Sequence, residues 1–272
     1  MLTETAEEAG FLLRVENLTI RIDQPHGGFL AVDDVSFELG EGETLALVGQ
    51  SGSGKTMTAL SLIGLLPRQA RKVNGEVWFA HRRISSGGKA SFKQLRGRDI
   101  AMIFQEPHSA LNPVFRAGTQ VADVMKTHLR ISSKSARKKA LELFEHVGLS
   151  DPIWTYQAYA HQLSGGMAQR VMIAMALSCG PRLIIADEPT TALDVSTQLQ
   201  ILRLIKNLQE QHRFSLLLIT HDISVVSALA DSVIVMSGGK IVDRGDVRQI
   251  LDHPDNSYTR SLVDANFPWA MN

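Results

Sequence analysis

The segment Gly49-Gln50-Ser51-Gly52-Ser53-Gly54-Lys55-Thr56 constrains the fold more than any other stretch of the chain. Glycines at this spacing let successive backbone N–H groups curl around a β-phosphate. Lys55 brings a point charge to the outer phosphates, and Thr56 offers a hydroxyl to Mg²⁺. Such a loop works between a buried strand and a helix whose positive N-terminus faces the anion. Both flanks are present. Thr44-Leu45-Ala46-Leu47-Val48 reads as a short buried parallel strand, and residues 56–66 read as a helix ending before Pro67. The chain is therefore expected to bind a nucleoside triphosphate at the edge of an α/β parallel sheet.

Alternation of apolar segments supports that architecture. Residues 11–22 and 31–39 alternate loosely and are separated by turn residues, which predicts two early strands. Residues 73–84 suggest an edge hairpin, followed by a basic, Ser/Gly-rich stretch at 82–98 expected to be exposed. Buried strands are expected at 100–104, 183–186, 215–219 and 233–236, with helices at 166–178, 195–211 and 223–229 between them. The pattern turns helical over 121–148, where 132–139 forms a charged, solvated start. The mostly helical block from about 118 to 180 thus interrupts the alternation and reads as an inserted subdomain. No internal repeat and no low-complexity linker stands out.

Composition narrows the function classes. Lys plus Arg and Asp plus Glu are equal at 28 each, which argues mildly against a nucleic-acid partner. The acidic start lacks the pattern of a secretory signal, and no run approaches the ~18 apolar residues of a membrane span. A single cysteine, Cys179, excludes an internal disulfide framework and a cysteine-ligated cluster within these 272 residues. These features read as cytoplasmic and soluble, with docking on a membrane partner left open.

Further residues gather where the strands end. Leu183-Ile184-Ile185-Ala186 delivers Asp187 to the C-terminal edge of the sheet beside the phosphate loop, where it can hold Mg²⁺. Glu188, one residue on, is suited to orient or deprotonate an attacking water. The bland alternative is a strand ending in solvent with two ordinary acids. Gln105 ends the strand at 100–104 and could contact both Mg²⁺ and the water; otherwise it is a surface glutamine. His221 follows Leu216-Leu217-Leu218-Ile219, a position from which a histidine can reach a γ-phosphate. Ser164, Gly165 and Gly166 open a helix as a second anion-seeking turn, or form a plainly capped helix end. The phosphate loop does not need that second turn. A chain carrying both is expected to close its ATP site against a second copy or a relative.

Taken together, these segments resemble the ATP-binding-cassette ATPases over nearly the whole chain. The loop at 49–56, Gln105, Leu163-Ser164-Gly165-Gly166-Met167-Ala168-Gln169, Asp187-Glu188, Thr191-Ala192-Leu193-Asp194 and His221 stand in that family's order. The resemblance implies a P-loop NTPase of ABC type over residues 10–262, with a short tail at 263–272. Its core is a parallel sheet, with an N-terminal antiparallel β subdomain and an inserted α-helical subdomain. It further implies a head-to-tail dimer in which ATP on one loop is covered by the partner's serine and glycines, with 191–194 crossing the seam and Asp194 counted among the nucleotide-contacting residues. The cofactors implied are ATP and Mg²⁺, with Thr56, Gln105 and Asp187 at the metal and Glu188, His221 and Gln105 as catalytic groups.

Finer similarity points to importers of dipeptides, oligopeptides and nickel. It rests on Phe104-Gln105-Glu106-Pro107-His108-Ser109-Ala110-Leu111-Asn112-Pro113 and on His253-Pro254-Asp255-Asn256-Ser257-Tyr258-Thr259-Arg260-Ser261-Leu262. The chain ends at Asn272 without the extra C-terminal cysteines of many peptide-importer relatives, nearer the nickel-type length. The partners implied are a second ATPase subunit (identical or paralogous), two transmembrane permease subunits and an extracytoplasmic solute-binding protein, with no nucleic acid. The location implied is peripheral, on the cytoplasmic face of the inner (cell) membrane. The aromatic that stacks on adenine falls near His26 or Phe29, and the sequence does not choose between them. Two rival readings are a soluble cassette acting on nucleic acid or ribosomes, and a metabolic kinase using the same loop.

Overall fold

The computed structural model describes residues 10–25, 27–85, 88–191 and 193–266. In chain order, β1 (Phe11–Ile22) and β2 (Phe29–Gly40) precede β3 (Thr44–Val48), α1 (Lys55–Leu62), β4 (Ala70–Phe79), β5 (Arg82–Arg83), α2 (Gly88–Leu95) and β6 (Ile100–Ile103). A helical block follows: α3 (Pro107–Ala110), α4 (Ala117–Leu129), α5 (Ser133–His146), α6 (Pro152–Gln157) and α7 (Gly165–Leu177). The chain then alternates through β7 (Leu183–Asp187), α8 (Val195–His212), β8 (Ser215–Thr220), α9 (Ile223–Leu229), β9 (Ser232–Ser237) and β10 (Lys240–Asp246). It finishes with α10 (Val247–Asp252) and α11 (Ser257–Asn266).

These elements form two sheets. One is antiparallel, in the order β2-β1-β4-β5; the other runs β10-β9-β3-β8-β7-β6. In the second sheet every strand but β10 is parallel to its neighbours, as the continuous apolar runs require. β3, β7 and β8 are buried at every residue because helices cover one face and α1 with the antiparallel sheet covers the other. The parallel register pairs Val48 with Thr220, Asp187 with Ile219, and Ile103 with Ala186. The C-terminal ends of β3, β8, β7 and β6 therefore stop at one level, and everything that follows them emerges along one edge.

Four expectations are corrected. The helix after the loop stops at Leu62 rather than 66, because Gly64 takes a left-handed φ of 65° and its N–H closes on the Ser61 carbonyl. The stretch at 82–98 is exposed only in part: Ile84 is buried, and Phe92 and Leu95 of α2 pack against the core. The helical pattern read over 121–148 begins earlier, at Ala117, and breaks at Arg130, which is left-handed, before Ser132 caps α5. The core sheet also carries an unforeseen antiparallel edge strand, β10, whose half-exposed pattern gave no buried run to read.

The core falls into three apolar clusters. The largest joins α4, α5, α7 and α8 to β6, β7 and β8 around Met125, Phe144 and Met172. A second fills the space between the antiparallel sheet, α1 and the main sheet, and a third lies beneath α9, α10 and α11. Within the helical block, Gly118 on α4 lies against the Tyr156 ring of α6, which Arg137 covers at 5.5 Å from the centroid. A Cβ at 118 would overlap that ring. In a free helix Gly→Ala gains about 1 kcal/mol. Here overpacking of about 1–3 kcal/mol opposes it, so Gly118→Ala is expected to lower stability by a net ~0–2 kcal/mol. A denaturant titration that found the variant stabilised would show that α4 and α6 separate freely.

Candidate functional site

The loop after β3 takes its shape from its glycines. Gly49 has φ 153° and Gly54 has φ 105°, and a Cβ at either would strike a backbone carbonyl, that of Met236 or Ala31 respectively. The ends of β9 and β2 thus hold the loop from two sides. Gly54 opens α1 without a side-chain cap, which leaves the first-turn N–H groups available to an anion. Lys55 is buried, and its Nζ donates to the carbonyls of Gly49 (2.6 Å) and Gln50 (2.9 Å) and to Ser53 Oγ (3.4 Å). Burial pulls the Lys55 pKa below the ordinary lysine value, while the charges of Glu188 and Asp187 oppose the shift.

Asp187 ends β7 and is almost fully buried at 4% exposure. Its Oδ1 accepts from Thr56 Oγ1 at 3.3 Å. Burial is the largest influence and pushes its pKa up; the Thr56 hydrogen bond and Lys55 pull down, and Glu188 adds to the rise. A hydroxyl beside a carboxylate is a hard-oxygen donor pair of the kind Mg²⁺ prefers, and the ion would relieve the buried charge. Among the described residues no group of three His, Cys, Asp or Glu could cage a metal alone. The donor set therefore fits a Mg²⁺ that takes its remaining oxygens from phosphate and water.

Glu188 adopts a left-handed φ of 46°, rare for a non-glycine residue, and its N–H donates to the Ile219 carbonyl at 2.8 Å. That turn brings its carboxylate among three donors. Gln105 Nε2 and Thr191 Oγ1 each donate to Oε2 at 2.9 Å, and His221 Nδ1 lies 3.0 Å from Oε1. A carboxylate oxygen accepts, so Nδ1 carries the proton, and Nε2 is left free of that bond on a residue that lines the cavity. The strand ends of β6, β7 and β8 supply these groups, and the level register is what lets them meet.

Residues 50–56, Gln105, Glu188, Thr191 and His221 line one cavity of about 670 Å³, whose apolar side is Ile22, Phe29, Ala31 and Leu262. Phe29 stands half-exposed in that wall, whereas His26 lies outside the described residues. Ser164, Gly165, Gly166 and Asp194 do not line it. Ser164 Oγ caps α7 by accepting from Met167 N (3.3 Å), and Gly166 packs against Thr197 of α8. Asp194 caps α8, and hydrogen bonds from Ser196 and Thr197 hold its carboxyl well below the usual range. Two participants escaped the sequence reading. The Thr191 hydroxyl sits on Glu188, and Tyr258 Oη accepts from the Gln50 N–H at 3.1 Å. The i, i+3 spacing from Glu188 could have pointed to Thr191.

Loop, acid pair and parallel sheet together define the P-loop NTPase fold. A family model described as ABC transporter matches residues 32–191. Glutathione import ATP-binding protein GsiA of Escherichia coli K12 is 47% identical over 264 residues, covering 95% of this chain and 42% of its own. Peptidoglycan transport ATP-binding protein YejF of Agrobacterium fabrum is 46% identical over 255 residues, covering 93% and 47%. The chain spans less than half the length of these curated relatives. A dimeric post-hydrolysis structure of the ATP-binding cassette MJ0796 bound to ADP and Pi superposes with a TM-score of 0.78 at 28% identity, over 87% of this chain and 99% of that one. The chain belongs to the ABC transporter family, as an ATP-binding cassette with the ATPase fold.

The charge balance yields a pH-dependent prediction. Burial raises the folded pKa of Asp187 above its unfolded value, so the cost to stability is absent below the unfolded pKa, grows as pH rises between the two, and is complete above the folded pKa. In nucleotide-free protein, Asp187→Asn should therefore raise Tm at neutral pH, and the gain should shrink as pH falls and the wild-type carboxyl takes up its proton. A Tm for Asp187→Asn below wild type at neutral pH would contradict this balance.

Proposed function

We propose that the chain is the ATP-hydrolysing subunit of an importer, working at a head-to-tail dimer interface on the cytoplasmic face of the cell membrane. The observation that carries the reading is Glu188, whose carboxylate three side chains hold beside Lys55, Thr56 and Asp187. Oriented in this way, it can accept a proton from a water attacking the γ-phosphate. Lys55 would exchange its loop carbonyls for the outer phosphates, and the uncapped start of α1 would receive the β-phosphate. His221 would present Nε2 to the γ-phosphate. Mg²⁺, held by Thr56 and Asp187 with Gln105 nearby, would neutralise charge developing on the phosphates. Phe29 would stack on adenine from the apolar wall.

Ser164, Gly165 and Gly166 form an anion-seeking helix start that takes no part in its own chain's cavity. A second subunit, identical or paralogous, gives that turn an employment: it would cover nucleotide bound to the other chain, with Asp194 near the seam. ATP would then bind the closed pair more tightly than the open one, which is the condition for hydrolysis to move anything.

Among the described residues no helix is long and apolar enough to cross a membrane, so permease subunits would do the spanning. An apolar groove of about 200 Å³, lined in part by Leu65, Phe104, Leu111, Val124 and Met175, opens beside Gln105. Val114 and Phe115, three and four residues after Leu111, are also exposed. These surfaces suit contact with two permease subunits, which a solute-binding protein outside the membrane would supply with cargo. The relatives named for glutathione import and peptidoglycan transport favour a small peptide over a nickel chelate.

Glu188→Gln is expected to keep ATP binding, cut turnover by ~10²–10⁴, and accumulate ATP-dependent dimers in analytical ultracentrifugation. Adding Ser164→Arg should abolish those dimers while leaving nucleotide affinity for the monomer intact. Undiminished turnover in Glu188→Gln would remove that residue from the reaction.

A further inference from the structure

The proposed catalytic cycle gives the tail segment His253–Leu262 no task. Its last helix nevertheless reaches the phosphate loop. The peptide unit between Gly49 and Gln50 is held at both ends: its carbonyl accepts from Lys55 Nζ at 2.6 Å, and its N–H donates to Tyr258 Oη at 3.1 Å. Turning that peptide would break both bonds. One turn further along α11, on the same face, Leu262 is buried and forms part of the apolar cavity wall.

The helix is placed firmly enough for this. The Asn256 N–H donates to Asp243 Oδ2 (3.2 Å), and Asn256 Oδ1 caps α11 by accepting from Tyr258 N (2.8 Å). Thr259 is fully buried, and Leu262 packs with Ile223 and Val226 of α9. The tyrosine therefore acts from a fixed platform onto a loop that otherwise rests on glycines.

We propose that α11 is part of the nucleotide site, with Tyr258 as a positioning residue that fixes the Gly49–Gln50 peptide and Leu262 as an apolar wall. The proposal rests on the phosphate-loop reading. When Lys55 leaves the Gly49 carbonyl for a phosphate, the bond from the Gln50 N–H to Tyr258 remains, and it keeps the loop in the curled form that binds. Losing the hydroxyl frees the peptide and makes the ligand carry the cost of ordering it.

The test is a titration of the full chain with a fluorescent ATP analogue. Tyr258→Phe, which keeps the ring and its packing, should weaken affinity about 2- to 10-fold, the range of one hydrogen bond. Nucleotide should also slow backbone hydrogen exchange across residues 257–266 in the wild type, a readout that needs no variant to fold. A tyrosine that only props up the helix would lower Tm in Tyr258→Phe and leave affinity untouched. Equal or tighter binding by Tyr258→Phe overturns the proposal, and so does exchange at 257–266 that ignores nucleotide. Lys55→Ala separates the two levels of inference. Loss of binding there, beside wild-type affinity in Tyr258→Phe, sinks the helix proposal alone; retained binding in Lys55→Ala sinks both.

Discussion

The parallel pairing of β3, β8, β7 and β6 is the constraint on which the site depends. Because Val48 sits opposite Thr220 and Asp187 opposite Ile219, the chain leaves each strand at the same height. A one-residue slip of β7 against β8 would shift Asp187 by about 3.3 Å and turn its side chain to the other face of the sheet. Thr56 would then lose its partner. Register is fixed in turn by burial on both faces, since every residue of these central strands must find apolar contacts. Core packing and site geometry are therefore one requirement imposed on the same residues.

Burial also explains why the site is poised for a ligand. Lys55 and Asp187 are displaced in opposite directions, each toward its neutral form, because both charges lie in a medium that solvates them poorly. Their attraction for each other, and that of Lys55 for Glu188, offsets only part of that cost. Lys55 satisfies its donors on loop carbonyls that have no charge to offer. A polyphosphate would answer the lysine and a divalent cation the aspartate. The binding energy of such a pair would come from relieving a cost already present in the fold, with little rearrangement to oppose it.

Much of this could be read from residues alone, for identifiable reasons. Buried parallel strands are continuous apolar runs, so β3, β6, β7, β8 and β9 were located to within a residue or two, and the strand–loop–helix context placed Lys55 and Asp187 on one edge. Where a structure is set by a single backbone angle or by contact across the chain, periodicity carries no signal. The left-handed turn at Gly64 cut α1 short, and the left-handed Glu188 aimed a carboxylate that sequence could only set beside the loop. The edge strand β10 has no strong pattern because one side faces solvent. The Gln50–Tyr258 bond joins residues 208 apart, and only the packing of α11 against α9 and β10 brings them together.

Gln105 occupies the position where chemistry and movement would meet. Its amide holds Glu188, while the preceding Phe104 leaves the sheet and enters the apolar groove proposed to receive the permease. The two residues are adjacent along the backbone, so a displacement of one cannot leave the other in place. If the γ-phosphate and its cation draw the Gln105 amide away from Glu188, the start of the 105–113 segment moves with it, and α3 packs directly on α7. Helix α7 begins at Ser164, the residue proposed to cover the partner's nucleotide. One path would then run from the carboxylate proposed to act in hydrolysis, through the groove, to the turn proposed to cap the partner's nucleotide, so closing the dimer and pressing on the membrane partner would be two ends of the same motion.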